Sequence, residues 1–332
     1  MKPILRDIAL LLLVLVPFEL WINVEWQRFM GAELEEYRVD MARPTVARTR
    51  VVVLGDSHTR NAFLHAALPD SVVELAYGAE SLREVHLKLR TLLRRGIRPR
   101  CVVLQADPHG FSPYRDVTNN EQTVVLGANL QDYNEVYDRT LSGIKKAVID
   151  RYPLAEQQNR AALTSLLMEK YLRRGLVATP PGPTPPKSTS ATALAPTEQA
   201  GAWAAHSSAE RLAIATGRLQ EQFAEPFVVS PGLRETWQQI IALCRARHIR
   251  VVAVRYPVSN EYRAGLAHYD LRGVAATLRA FPPDTLLDYS ATYAAAPRCF
   301  MDSDHLGAAG SAAFAPRILA DLRAVLARPA AR

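Results

Sequence analysis

The 332-residue chain predicts an α/β fold, a three-layer α/β/α domain on a five-stranded parallel sheet in flavodoxin-like order 2-1-3-4-5, plus a helical insertion. Three observations predict it. Val51-Val52-Val53-Leu54 is a branched apolar run without alternation, the pattern of a strand buried on both faces of a parallel sheet. Five short strands of this kind are separated by stretches of helical periodicity. A composition of 48% hydrophobic and 22% charged residues is that of a globular protein with a substantial core.

In chain order, Lys2 and Arg6 precede an apolar run from Ile8 to Phe18, continued by Leu20, Trp21 and Ile22 with Glu19 as its single charge. The uninterrupted part is shorter than the roughly 20 residues of a spanning helix and would also suit a signal-peptide core. No small-x-small cleavage site follows at once. Trp21 and Trp26 read as interfacial aromatics, and Glu33, Glu35 and Glu36 contrast with the basic residues before the run. The expectation is an uncleaved membrane anchor over 1–26 and a juxtamembrane linker over 27–47. The domain over 48–325 is then held on the periplasmic or outer side of the inner (cytoplasmic) membrane. The alternative is a buried or interface helix of a soluble protein, since Pro17 and Glu19 weaken the span.

The first strand should give way to a helix from Thr59, then a short strand near Val72 to Ala76. A helix from about Ser81 to Arg95 follows, with Leu82, Val85, Leu89 and Leu92 as its core stripe and Arg83, Arg90 and Arg94 opposite. The third strand is Cys101 to Gln105. A helix from about Leu233 to Arg247 precedes the fourth strand, Arg250 to Val254; the fifth is Thr285 to Asp288, and a closing helix runs from about Gly307 to Ala327. Between strands three and four lie about 140 residues, far more than an ordinary crossover. We read 113–230 as an insertion, with helical patterns between Asn129 and Arg174 that would cap the active-site edge. A Pro/Ser/Thr/Ala-rich stretch over 179–200 is too poor in large apolar residues to pack, and is expected to be disordered.

The formal charge of +7 comes from arginines scattered along the chain, which is not a nucleic-acid footprint. Cys101, Cys244 and Cys299 cannot all pair. Cys101 and Cys244 fall on predicted buried faces, and no Cys-x-x-Cys metal spacing is present; whether one disulfide forms is left open.

Two short motifs carry chemistry. Gly55-Asp56-Ser57 delivers Ser57 at the carboxyl end of the first strand, where open α/β sheets place their ligands. Asp302-Ser303-Asp304-His305 sets an acid three residues before a histidine. A nucleophilic serine needs a base, and the base needs a carboxylate to hold its tautomer. Each motif has a plainer reading: a βα turn for the first, and for the second a helix start with Asp302 or Asp304 as N-cap and His305 in the first turn.

Together the motifs resemble the SGNH (GDSL-type) hydrolase and acyltransferase superfamily over about residues 48 to 325. The resemblance implies Ser57 as nucleophile, His305 as general base and acid, and Asp302 as its orienting carboxylate. It also implies an oxyanion hole from the backbone N–H groups of Ser57 and Gly78, the latter in Leu75-Ala76-Tyr77-Gly78. The third family block, Gly-x-Asn-Asp, is replaced by Gln105-Ala106-Asp107-Pro108-His109, with Gln105 or His109 as substitutes for the missing asparagine donor. This departure is similar to the membrane-anchored subgroup that accompanies membrane-bound O-acyltransferases. After the fourth strand, Arg255-Tyr256-Pro257-Val258-Ser259-Asn260-Glu261-Tyr262 reads as a loop on the same edge. There Tyr256, Ser259 and Tyr262 are candidates to line an acceptor groove.

The expected function is that of a serine esterase or O-acyltransferase working through an acyl-serine, adding or removing acetyl groups on a cell-envelope or secreted polysaccharide. No metal, other cofactor or nucleic acid is expected; a membrane-bound O-acyltransferase is the expected protein partner. The alternative is a membrane-tethered scaffold that binds a polysaccharide or such a transferase without chemistry of its own.

Overall fold

The computed structural model describes residues 36–64, 66–117 and 202–328, with isolated positions 13, 17 and 21. The chain divides into two compact units, one of Met1–Val39 and Gln122–Lys187, the other of Asp40–Glu121 and Ser188–Arg332. The second unit holds the sheet. The predicted anchor over 1–26, the helical patterns of Asn129 to Arg174 and the stretch over 179–200 lie outside the described residues, apart from those isolated positions. Among the described residues no helix is long and apolar enough to cross a membrane.

The expected sheet is present: five parallel strands in the order 2-1-3-4-5. They are β1 Val51–Leu54, β2 Val72–Glu74, β3 Cys101–Gln105, β4 Arg250–Arg255 and β5 Thr285–Asp288. Strands β1 and β3 are buried along their whole length because helices cover both faces, which is why their sequences do not alternate. β5 lies at the sheet edge and alternates between half-buried and exposed positions. Strand β1 pairs in register with β3 from Val51 against Cys101 to Leu54 against Leu104, and with β2 on its other side. A one-residue slip would turn every side chain to the wrong face.

Among the described residues after β1, the helices are α1 Ser57–Phe63, α2 Leu82–Arg94, α3 Tyr114–Val117, α4 Ala202–Ala205, α5 Ser208–Gln222, α6 Pro231–Ala246, α7 Asn260–Leu266, α8 Arg272–Ala280 and α9 Ala308–Ala327. Helix α2 is started by a capping box, Ser81 with Glu84, and buries the predicted stripe of Leu82, Val85, Leu89 and Leu92. Helix α6 begins at Pro231 behind the Ser230 cap and buries Trp237, Ile240, Ile241 and Cys244. On one side of the sheet, Val51, Val53, Val103, Val252 and Val254 share a core with Phe314, Ile318 and Leu322 of α9. All three cysteines are buried free thiols.

One local expectation is corrected. The stretch read as a loop through Tyr262 turns helical at Asn260, with the Ser259 hydroxyl accepting from the Tyr262 N–H at 3.2 Å. A serine followed three residues on by the first buried residue of a helix is an N-cap signature.

Candidate active site

Ser57 owes its position to the end of β1. The strand stops at Leu54 and α1 begins at Ser57, so Gly55 and Asp56 make the whole turn. A Cβ on Gly55 would lie 2.1 Å from Thr59 Oγ1 and 3.0 Å from the Gln105 side chain, so only glycine fits there. Asp56 caps α1, its side chain accepting from the His58 N–H at 2.9 Å. The cap orients the first turn so that Ser57 is half-buried while its neighbours His58 and Thr59 point inward and are fully buried.

Facing it is the loop from Phe300 to Leu306, two residues joined by an antiparallel bridge. Inside this loop Asp302 Oδ1 accepts from the N–H groups of Asp304 (3.0 Å) and His305 (2.8 Å), which curls the chain and brings the carboxylate under the imidazole. Both Asp302 oxygens then lie on His305 Nδ1, at 3.0 and 2.8 Å, and His305 Nε2 lies 2.8 Å from Ser57 Oγ. A carboxylate only accepts, so Nδ1 carries the proton and Nε2 is left to accept from the serine hydroxyl. Helix α9 begins only at Ala308, with Gly307 as a cap that makes no side-chain bond, so neither Asp302 nor Asp304 is the helix cap that the plainer reading had them be.

Beneath this line is a buried polar network that the sequence reading missed. His58 is wedged between two carboxylates, Nδ1 at 3.0 Å from Asp107 and Nε2 at 3.2 Å from Asp304. Asp56 Oδ2 takes His109 Nε2 at 2.8 Å and Arg115 Nη2 at 2.5 Å. Asp304 Oδ2 also takes Gln222 Nε2 at 2.9 Å and Arg218 Nε at 3.1 Å, both from α5. Burial alone would push His58 down, but its bonds to Asp107 and Asp304 outweigh this and raise it to about 10. Burial pushes the Asp56 carboxyl up, yet Arg115 and His109 hold it well below the carboxylate range. Asp304 is likewise held low against its burial, by His305, His58 and Arg218. His109, which burial and the neighbouring His58 cation push down to about 4, stays neutral. Three buried carboxylates thus meet three cations, His58, Arg115 and Arg218. The signal available in the sequence was adjacency, since Asp56, His58 and Asp304 each flank a motif residue; the contributions of Arg115, Arg218 and Gln222 have no local signature.

The candidate oxyanion donors divide. The Tyr77 N–H donates to Gly55 O at 3.2 Å, which brings the Gly78 turn beside the start of α1. Gly78 has open space where a side chain would be. Lys88, buried in α2, braces this turn by donating to Leu75 O and pairing with Glu80. The two proposed substitutes for the asparagine are spent elsewhere. Gln105 Oε1 accepts from the Asp56 N–H at 2.8 Å and its Nε2 donates to Asp107 at 2.9 Å, while His109 is 1% exposed and held by Asp56. They stiffen the Ser57 turn instead of facing it. Tyr256, Ser259 and Tyr262 do not line a groove either. They are 1, 1 and 2% exposed: Tyr256 shares the core with Phe314, Ser259 caps α7, and Tyr262 donates to Gln222 Oε1. Their position after β4 is as expected, but the helical turn at Asn260 carries them inward.

Asp56, His58 and His109, and again His58, Asp304 and His305, bring ligand atoms close enough for a metal ion. A ligating imidazole needs a free lone pair, and His58 has none while both nitrogens face carboxylates; the Asp56 carboxylate already holds the Arg115 cation. The two sets are therefore ion-paired within the chain. Compared with known proteins, the chain matches no family model, no curated protein and no solved structure.

Proposed function

We propose that the chain is an SGNH-type serine hydrolase or O-acyltransferase. The observation that carries this reading is the continuous line Ser57 Oγ to His305 Nε2 (2.8 Å) and His305 Nδ1 to Asp302 (2.8 Å) at the carboxyl edge of the sheet. In the first step His305 takes the Ser57 proton as the oxygen attacks an acyl carbon, and Asp302 stabilises the resulting imidazolium. His305 then protonates the departing alcohol, leaving an acyl-serine. In the second step His305 deprotonates either water, giving hydrolysis, or an acceptor hydroxyl, giving acyl transfer. The N–H groups of Ser57 and Gly78 are the oxyanion donors in this proposal. The apolar N-terminus with its flanking charges supports a membrane-anchored, extracytoplasmic enzyme acting on an acetylated polysaccharide, alone or beside a membrane-bound O-acyltransferase.

The test is a fluorophosphonate probe on the full-length protein, with mass mapping of the adduct. We expect one adduct, on Ser57, lost in His305→Ala. A folded protein that takes no label would defeat the enzymatic reading. A specific observation favours a second reading, a scaffold without chemistry: Gln105 and His109 are both engaged, so neither of these two side chains stands in for the asparagine. Under it, Ser57→Ala would leave polysaccharide modification in cells intact.

A further inference from the structure

The residue after the serine has a role of its own. Each ring nitrogen of His58 faces a carboxylate oxygen, and neither carboxylate has a proton to offer. Asp107 Oδ1 accepts the Tyr256 N–H at 2.9 Å and its Oδ2 accepts Gln105 Nε2 at 2.9 Å. Asp304 Oδ2 accepts Arg218 Nε and Gln222 Nε2, while its Oδ1 accepts the Ser303 hydroxyl at 3.2 Å. The Gln105 amide is oriented independently, because its Oε1 accepts the Asp56 N–H, and on Asp304 the Arg218 guanidinium can only donate. A neutral imidazole has one donor and one acceptor nitrogen, so it would point a lone pair at one of these carboxylates. Only the doubly protonated ring satisfies both.

We propose that His58 is a positioning residue, a permanently charged imidazolium that fastens Asp304 to the loop after β3 and leaves Asp302 as the carboxylate that serves His305. The catalytic half of this statement rests on the acyl-transfer reading above; the protonation state does not. The geometry explains why such a clamp is needed. Two carboxylates compete for His305 Nδ1, Asp302 at 2.8 Å and Asp304 Oδ1 at 3.6 Å. Asp304 is 1% exposed, and Asp302 keeps 41% of its side chain in solvent. The more buried acid would be the stronger electrostatic partner, but His58, Arg218 and Gln222 draw its charge to the far side. The His58 ring sits edge-on to the His305 ring, centroids 4.9 Å apart. The charged and titratable groups around His58 are Asp56, Asp107, Asp304, His109, Arg115, Arg218 and His305. Removing the imidazolium leaves this set with one uncompensated buried carboxylate.

Two measurements test the proposal. In full-length protein labelled with 15N-histidine, ring-nitrogen correlation spectra, with His58 assigned by its disappearance in His58→Gln, should show protons on both nitrogens unchanged from pH 6 to pH 9. A His58 ring with one bare nitrogen at pH 8 overturns the proposal. The second measurement is the pH dependence of the rate of Ser57 labelling by fluorophosphonate. His58→Gln removes a cation whose ring centroid lies 4.9 Å from that of His305, so the acid limb of the profile should move to higher pH. Asp304→Asn, which removes a nearby negative charge and keeps the shape, should move it down; it serves alone if His58→Gln does not fold. A merely structural role would lower the rate at every pH with the limb unmoved, and that result overturns the positioning assignment. Failure of the wild-type protein to label at Ser57 would remove the acyl-transfer reading and the positioning role with it, while the ring spectra still decide whether His58 is a buried cation.

Discussion

In the proposed mechanism Asp302 is the carboxylate that serves His305, and it is the more exposed of the two acids beside that ring. Its hold on the imidazole comes from curling its own loop, since Oδ1 binds two backbone N–H groups and the ring at once. Asp302→Asn would retain an acceptor for the backbone but could offer its amide group to Nδ1, favouring the tautomer with the proton on Nε2, which cannot accept from Ser57. We expect the rate of Ser57 labelling to fall on the order of 10²–10⁴-fold with the melting temperature little changed. An unaltered rate would show that Asp304, not Asp302, supports His305.

At the scale of elements, the site depends on how tightly β1 turns into α1. Gly55→Ala places a methyl group against Thr59 Oγ1 and against Gln105, whose amide is held by the Asp56 N–H and Asp107, so the turn must open. Overpacking of this kind costs about 1–3 kcal/mol, and the denaturant midpoint should drop accordingly, with labelling of Ser57 lost as the serine leaves His305. Gly78 offers the matching control. Open space surrounds it, so Gly78→Ala should leave the midpoint within about 0.5 kcal/mol of wild type. If Gly55→Ala were equally harmless, the turn would not be what sets the serine. Helix α5 is the other element with a direct hold on the site, through Arg218 and Gln222 on Asp304, and it comes from the insertion and not from the sheet's own helices.

For the whole molecule, the buried titratable groups define a pH window. Asp56 and Asp304 are held low against their burial by neighbouring cations, so their contribution is present above the ordinary carboxylate value of 3.8 and is lost as pH falls. His109 and His86, both lowered by burial from 6.5 to about 4, cost stability below 6.5, where the unfolded chain takes protons that the fold refuses, and so offset the buried Glu74 and Glu80 between 4.5 and 6.5. In the other direction, His58 contributes fully below 6.5, and that contribution is lost as pH rises toward about 10. Burial raises Glu74 from 4.5 to about 7 and Glu80 from 4.5 to about 8, so both add to the loss as pH climbs. The melting temperature should therefore be highest between about pH 5 and 6.5 and lower at pH 9. His58→Gln should flatten the decline above pH 6.5. A melting temperature that stays constant from pH 6 to pH 9 would mean that neither His58 nor the two glutamates titrates as described.

The sheet was legible in the sequence because burial on both faces writes itself as unbroken apolar runs: Val51–Leu54 and Cys101–Gln105 were bounded to the residue, and so was the edge strand Thr285–Asp288. Once five parallel strands are fixed in that order, every turn after a strand falls on one edge. Ser57, Asp302 and His305 were therefore nameable from two short motifs, and their convergence followed from topology. What lies beneath them was decided by tertiary structure alone. That Gln105 and His109 stiffen the serine turn, that Tyr256 and Tyr262 face the core, and that Arg115 and Arg218 neutralise Asp56 and Asp304 all depend on distances between residues far apart in the chain. A buried charge is tolerated only where a partner meets it, and no local pattern records where that partner comes from.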